Sequence, residues 1–274
     1  MVLQALLYVG IGYGSALLVG PMLLWLGGEL VGAAGSDLVC ALFVNWLALR
    51  MFTTLRLPDL GLWWSRVSAD NLALGMFGGI GAACLVLGLP LLAGAAHFVS
   101  TPAEQPSWDT VLFVSLLLAA GSSGEEIFFR GYGFQVLLGR FGPYATIVPV
   151  GVVFALLHAS NPNATWIAIA NTAGFGILFG YAYLRSRDLW LPIGLHFGWN
   201  FTLPLFGANV SGLRIKVTGY EMAWSAGKLW SGGAYGPEAS VLASAVILLL
   251  FVYVWKAPIR RQHSGLTDPA PDSV

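Results

Sequence analysis

The chain has 274 residues, of which 57% are hydrophobic and only 9% are charged, and its formal net charge is zero. A soluble domain usually carries about a quarter charged residues, so this composition excludes a water-soluble body. A neutral chain without basic blocks also argues against a nucleic-acid partner. Apolar runs of roughly 20 residues recur along the chain, which is typical of a polytopic helical protein whose partner is the lipid bilayer.

We predict an all-α polytopic membrane protein with about eight transmembrane helices in a single domain, residues 1–274. In chain order the helices are Val2–Leu26, Leu30–Phe52, Leu72–Val99, Thr110–Leu138, Tyr144–Ala159, Ala164–Arg185, Leu189–Phe206 and Ala239–Trp255. The first run lacks a basic leading segment and a cleavage site, so we expect it to stay in the membrane. The polar residues 257–274 are predicted to form a disordered cytoplasmic tail.

The distribution of Lys and Arg predicts that both termini lie in the cytoplasm, because basic residues favour the inner side of a membrane. With eight spans, most of them fall on that inner side: Arg50, Arg56, Arg66, Arg140, Arg185, Arg187, Lys256, Arg260 and Arg261. The outer side then holds Arg214, Lys216 and Lys228.

The fourth predicted helix carries three ionised residues, Glu125, Glu126 and Arg130. A charge near the middle of a bilayer costs on the order of 2.5–3.5 kcal/mol, so each must pair, reach water or take part in chemistry. Glu126 and Arg130 are i,i+4 neighbours and can form an ion pair. Glu125 lies about 100° round the helix and remains a free carboxylate suited to a general base. A structural ion network or a proton relay is the alternative.

Two other helices carry polar motifs. The fifth predicted helix ends in Phe154-x-x-x-His158, and the seventh places His196 and Asn200 on one face, one turn apart. Each motif alone fits an interfacial histidine or an interhelical hydrogen bond. Glu125 and His158 are equidistant from the turn between their helices, so an antiparallel hairpin brings them to the same depth.

Together the three motifs resemble the CPBP family of intramembrane proteases, which includes the Rce1-like CaaX prenyl endopeptidases and bacterial relatives linked to bacteriocin immunity. The resemblance covers roughly residues 110–205, the motif-bearing core. It implies an intramembrane catalytic cavity, in which Glu125 activates a water that His158 helps to hold. It also implies that His196 and Asn200 donate hydrogen bonds to the oxyanion, while Glu126 and Arg130 orient the site.

The same resemblance leaves the use of a metal open. A glutamate mechanism requires no cofactor, whereas Glu125, His158 and His196 could form a two-histidine, one-carboxylate zinc site. The expected substrate is a peptide or a membrane protein. The compact chain with short loops resembles a prokaryotic member in the cytoplasmic membrane, and the sequence makes no prediction of oligomeric state.

Two other functions compete with this interpretation. The run from Gly121 to Gly124 fits the Gly-x-Ser-Gly pattern of rhomboid proteases, with Ser123 as nucleophile and His196 as base. Small residues there could instead allow neighbouring backbones to approach closely. A non-enzymatic protein, such as a proton-coupled transporter or an immunity scaffold, is the other alternative. Finally, Asp37 and Asn45 in the second helix could line the cavity, and polar interhelical contacts are the favoured interpretation.

Overall fold

The computed structural model describes residues 1–101 and 107–268, and most of these residues are helical. The helices are α1 (Val2–Phe52), α2 (Arg66–Leu92), α3 (Trp108–Arg130), α4 (Tyr132–Phe141), α5 (Pro143–Leu157), α6 (Trp166–Ser186), α7 (Trp190–Leu205), α8 (Lys228–Ser231) and α9 (Val241–Lys256). The strands are β1 (Ala96–Ser100) and β2 (Tyr220–Trp224), and short 3-10 helices lie at Leu57–Leu60, His158–Ser160 and Pro237–Ala239.

Within the described residues, 5 helical stretches are long and apolar enough to cross a membrane: Val2–Phe52, Arg66–Leu92, Trp108–Phe141, Pro143–Ser160 and Trp166–Ser186. Helix α9 is equally apolar but shorter. The protein is therefore an all-α polytopic integral membrane protein, as the composition predicted.

Helix α1 contains both of the predicted N-terminal helices. It reverses direction at Gly28, whose φ of 79° and ψ of −176° are open to glycine but strained for other residues. Gly32 packs against the backbone of Leu24, and the amide of Asn45 donates to the Tyr8 hydroxyl at 2.9 Å. The two limbs therefore run antiparallel, and the second limb lies beside α3.

The predicted helix Thr110–Leu138 is wrong in one respect, because the structure breaks it at Gly131 into α3 and α4. Asn45 causes the break: its Oδ1 accepts the backbone N–H of Tyr132 at 2.7 Å, and its amide donates to the carbonyl of Ile127 at 3.0 Å. A Cβ at Gly131 would lie 2.3 Å from Asn45 Oδ1, so only glycine fits. The predicted interhelical role of Asn45 is confirmed.

The predicted helix Leu72–Val99 is also wrong at both ends, since α2 begins earlier and ends at Leu92. The chain turns at Gly94, with a φ of 70°, and continues into β1. Strand β1 pairs antiparallel with β2, with Ala96 opposite Trp224 and Ser100 opposite Tyr220. Hydropathy could not reveal this pairing, because β1 is apolar and its partner lies far along the chain.

The prediction of disorder for 257–274 is wrong for residues 257–268, and 269–274 lie outside the described residues. The described tail docks because its polar groups find buried partners. Ser264 is fully buried and its hydroxyl donates to the side-chain oxygen of Gln135 at 2.9 Å. The tail also bonds to the backbone of Asp59 and Ser186.

Charge also holds the end of this tail. Partial burial raises the pKa of Asp268, but the Ser264 N–H and the guanidinium groups of Arg261 and Arg187 outweigh it and hold that pKa below its ordinary value. The docked tail joins segments that precede α2 and follow α6, so the segments predicted to be cytoplasmic meet at one end of the molecule. The two-stranded sheet and residues 207–240 lie at the other end.

Helix α7 packs closely on α2 through glycines. A Cβ at Gly79 would lie 2.2 Å from the carbonyl oxygen of Leu195, and one at Gly194 would lie 2.4 Å from that of Leu72. Small residues at such contacts let membrane helices touch backbone to backbone. The close packing fixes α7 while its polar motif points towards α3.

Candidate active site

A cavity of about 380 Å³ lies between the second limb of α1, α3, the end of α5 and α7. Apolar side chains and a set of polar ones line it. The polar members include Asp37, Ser122, Glu125, His158, Asn161, His196, Asn200 and Ser211. All four residues predicted to be catalytic therefore border one cavity. They come from α3, from the short 3-10 helix that follows α5, and from α7.

Gly124 brings α3 against α1 at this cavity. A Cβ at Gly124 would lie 2.4 Å from the backbone nitrogen of Leu38 and 2.5 Å from the carbonyl carbon of Asp37. The close approach brings Asp37 to the cavity that Glu125 lines, which confirms the alternative in which Asp37 lines the cavity. It also fixes the height of the next residue, Glu125.

Glu126 and Arg130 form the predicted ion pair, at 3.1 Å and with no exposed side-chain surface. Arg130 also donates to the carbonyl of Gly176 at 2.7 Å and lies over the rings of Phe154 and Phe179. A buried pair with additional hydrogen bonds can offset the cost of removing its charges from water. The Glu126–Arg130 pair is therefore a rigid structural support next to the cavity.

The sequence did not reveal that Glu126 also bonds to His196. Its Oε1 lies 2.9 Å from His196 Nδ1, and the imidazole stacks on Phe179 with ring centres 4.9 Å apart. The Glu126 carboxylate, paired with Arg130, accepts this hydrogen bond, and Nδ1 of His196 donates it. The hydrogen bond directs the opposite nitrogen, Nε2, towards Glu125 at 4.0 Å.

His158 is oriented in the same way from the other side. Its Nδ1 lies 2.8 Å from the carbonyl oxygen of Phe154, which can only accept, so Nδ1 carries the proton. In the neutral ring Nε2 is then a free acceptor, and it lies 3.7 Å from Glu125 Oε2. The predicted equal depth of Glu125 and His158 is confirmed.

Glu125 differs from Glu126 in its charge partners: Arg130 lies 3.1 Å from both oxygens of Glu126, whereas among the described residues only the two histidines lie within ion-pair distance of Glu125. Its Oε2 has no hydrogen-bond partner among the described residues, yet its side chain is 25% exposed towards the cavity. Two acceptors that face each other at 3.7 Å, Glu125 Oε2 and His158 Nε2, need a shared donor. A water molecule that donates to both satisfies them.

Asn200 lies beside this group, and its amide donates to the hydroxyl of Ser122 at 3.5 Å. Ser122 lines the cavity, whereas Ser123 does not. No hydrogen bond joins Ser123 to His196 in residues 1–101 and 107–268. The geometry thus lends no support to the alternative in which Ser123 is the nucleophile.

Glu125, His158 and His196 are also the donors that a metal site would use. Glu125 and the two Nε2 atoms are chemically suited to zinc, and both histidines donate from Nδ1 to oxygen atoms as metal ligands commonly do. Even so, no group of three or more His, Cys, Asp or Glu side chains in the described ranges is arranged to hold a metal ion.

The fold and the site together define an integral membrane protein with a carboxylate, two histidines and an asparagine around a cavity between its helices. Residues 105–202 match the family model described as type II CAAX prenyl endopeptidase Rce1-like. The motif-bearing region thus belongs to this CPBP/CAAX protease family, which confirms the resemblance seen in the sequence. No curated protein and no solved structure gives a significant match to the chain.

Proposed function

We propose that the protein is an intramembrane endopeptidase that hydrolyses a peptide bond with a water molecule activated by Glu125. One observation carries the proposal: the unpaired Oε2 of Glu125 faces the Nε2 atoms of two imidazoles inside the cavity. A structural ion network would place a guanidinium or ammonium group against this oxygen, as Arg130 lies 3.1 Å from both oxygens of Glu126. A carboxylate left free next to the acceptor Nε2 of His158 is suited to take a proton from water.

In the first step the water oxygen attacks the carbonyl carbon of the substrate. Glu125 accepts one proton of that water, and His158 Nε2 holds the other in a hydrogen bond. The new carbon–oxygen bond gives a tetrahedral intermediate whose former carbonyl oxygen carries a negative charge. A base held within hydrogen-bond reach contributes about 10²–10⁴-fold to such a step.

The oxyanion requires donors that are already in position. The amide of Asn200 is one donor. His196 supplies a second from Nε2 when it is protonated on both nitrogens, with its Nδ1–H held by Glu126. Losing one donor of this kind costs roughly 10²–10³-fold in kcat. The Glu126–Arg130 pair therefore acts through His196 and serves as a positioning group.

In the second step the carbon–nitrogen bond breaks. The protonated Glu125 delivers its proton to the leaving nitrogen, which becomes the new amino terminus. Glu125 returns to its ionised state, and the new carboxyl terminus contains the oxygen of the water. Atoms and charge balance without a cofactor.

The substrate of this proposal is a peptide or a membrane protein in the lipid bilayer. The compact chain with short loops supports a prokaryotic cytoplasmic membrane. The positive-inside distribution supports an orientation with both termini inside. In that orientation the sheet and residues 207–240 face outwards. Residues 210–215, which border the cavity, belong to this end, so the site would receive its substrate from the outer side.

The test is co-expression of candidate substrates with the wild type and with Glu125→Gln, Ser123→Ala and Ser115→Ala. Ser115 lies on the same helix outside the cavity, so it is the matched control. We expect new fragments with the wild type and with both serine variants, and none with Glu125→Gln. Identical fragments with the wild type and Glu125→Gln would refute the proposal and favour a transporter or an immunity scaffold. Loss in Ser123→Ala alone would favour a serine nucleophile.

A further inference from the structure

A further buried carboxylate, Glu238, lies beside the cavity and has no part in the proposed hydrolysis steps. It belongs to the 3-10 helix Pro237–Ala239, well outside the matched residues 105–202, and is only 7% exposed. Its Oε1 accepts the indole N–H of Trp199 at 3.1 Å, and its Oε2 accepts the backbone N–H of Ser211. One side chain thus ties α7 to a turn of the 207–240 segment.

The turn that Glu238 holds is a wall of the catalytic cavity. Val210 and Leu213 exchange backbone hydrogen bonds at 2.9 and 2.8 Å, and both line the cavity together with Glu125. Ser211 between them has a φ of 49°, which is costly for a residue with a side chain. Such a conformation persists only where its surroundings enforce it. Glu238 does so through the N–H, and the Asn161 amide does so through the carbonyl at 3.1 Å.

Glu238 is itself held from the opposite side. The amide of Asn171 in α6 donates to its backbone carbonyl at 2.8 Å. Its carboxylate borders a small cavity next to the catalytic one, and the two cavities share the lining residues His158, His196 and Asn200. A buried carboxylate is expensive unless its oxygens are bonded. Here those bonds all go to groups that border the catalytic residues.

We infer that Glu238 is a positioning residue of the hydrolytic site. It fixes the turn Val210–Leu213 as the wall that contacts the substrate, and it holds Trp199, and with it the adjacent Asn200, in place. The wall side chains of Val210 and Leu213 are apolar, so this wall accepts an apolar side chain next to the scissile bond. The inference rests on the proposed hydrolytic function.

The first test does not depend on activity. Val210→Cys is introduced with Cys40→Ala and Cys84→Ala, and its labelling by a water-soluble maleimide is timed with and without Glu238→Gln. The matched control is Glu221→Gln, a carboxylate at the same end of the protein that is 44% exposed and paired with Arg214. The side-chain amide of Glu238→Gln keeps one oxygen that accepts a hydrogen bond, but it turns N–H groups towards the donor that faced the other carboxylate oxygen. We therefore expect the turn to loosen and the cysteine of Val210→Cys to be labelled about 10-fold faster or more. Equal rates in Glu238→Gln and Glu221→Gln would overturn the anchoring.

The second test measures hydrolysis. Glu238→Gln should lower kcat/KM by about 10-fold or more, with a larger increase in KM for peptides that carry a bulky apolar residue beside the cleaved bond. Trp199→Phe removes only one of the three donors to the Glu238 carboxylate, the others being the N–H and the hydroxyl of Ser211, and it is the variant to use if Glu238→Gln does not fold. We expect it to lower kcat per folded molecule and leave KM nearly unchanged, with the folded fraction measured by thermal unfolding in detergent, because a general loss of stability would lower kcat only in proportion to that fraction. Unchanged kinetics in both variants of a protein that Glu125→Gln inactivates would overturn the positioning role.

If the wild type cleaves no peptide, the proposed function fails, and the labelling rates still decide whether Glu238 anchors the turn. The two conclusions are therefore tested by separate measurements.

Discussion

Replacing Gly124 by alanine should inactivate the protein by moving the catalytic carboxylate. The added Cβ would lie 2.4 Å from the backbone nitrogen of Leu38 and 2.5 Å from the carbonyl carbon of Asp37. Backbone atoms cannot rotate away, and ordinary contact requires about 3.4–4 Å, so α3 must move from α1 by roughly 1 Å. A misplacement of about 1 Å can cost on the order of 10²-fold in rate.

The matched control is Gly121→Ala, one turn earlier on the same helix and facing the same neighbour. Its Cβ would lie 3.4 Å from the side chain of Ala34, an ordinary contact, so we expect near wild-type activity. The assay is the hydrolysis rate of purified Gly124→Ala, Gly121→Ala and wild type, with thermal unfolding in detergent measured in parallel. Overpacking should also cost Gly124→Ala about 1–3 kcal/mol of stability. Equal hydrolysis rates in the two variants would show that the close approach at Gly124 does not set the position of Glu125.

Three further predictions concern the fold, the cofactor and pH. Asn45→Ala should destabilise the protein by about 1–3 kcal/mol, because the N–H of Tyr132 is left unpaired; an unchanged unfolding temperature would contradict this. Zinc chelation with 1,10-phenanthroline should leave hydrolysis unchanged, and inactivation reversed by added zinc would show that a metal is used. Because the pKa of Asp268 is lowered in the folded state, its ionised form should stabilise the docked tail above the ordinary pKa of about 3.9. That contribution should disappear as pH falls through the lowered pKa, and the protection factors of residues 257–268 from hydrogen exchange between pH 2 and 7 should fall with it; unchanged protection factors at every pH would contradict it.

Relations along one helix, or across one short hairpin, could be predicted from the sequence. The Glu126–Arg130 pair follows from i,i+4 spacing, and the meeting of Glu125 with His158 follows from counting residues on each side of the turn. Both depend only on helix geometry and on a connection too short to allow another arrangement.

Relations between distant segments could not be predicted, because no local pattern records them. His196 could be placed on a polar face of its helix, but its bond to Glu126 depends on how α7 packs against α3. The break at Gly131 depends on Asn45, which lies on another helix, and hydropathy alone predicts an uninterrupted span. The one available signal was an asparagine inside an apolar run, since a buried amide must bond to something.

The docked tail and the turn held by Glu238 could not be predicted from the sequence for a related reason. Composition predicts disorder for a polar segment, but Ser264 finds a buried partner in Gln135. Glu238 reads as a loop carboxylate, although the fold buries it against Trp199. Whether a polar residue can be buried depends on its hydrogen-bond partners, and those partners are known only once the chain is folded.

The central claim is that Glu125 activates the water that hydrolyses a peptide bond. The most direct test is a comparison of all newly formed protein termini in membranes that contain the wild type or Glu125→Gln at equal abundance. We predict a set of termini that is present with the wild type, absent with Glu125→Gln, and reproduced when the purified wild type is given the corresponding peptides. The same termini in both membranes, formed at the same rate, would contradict the account.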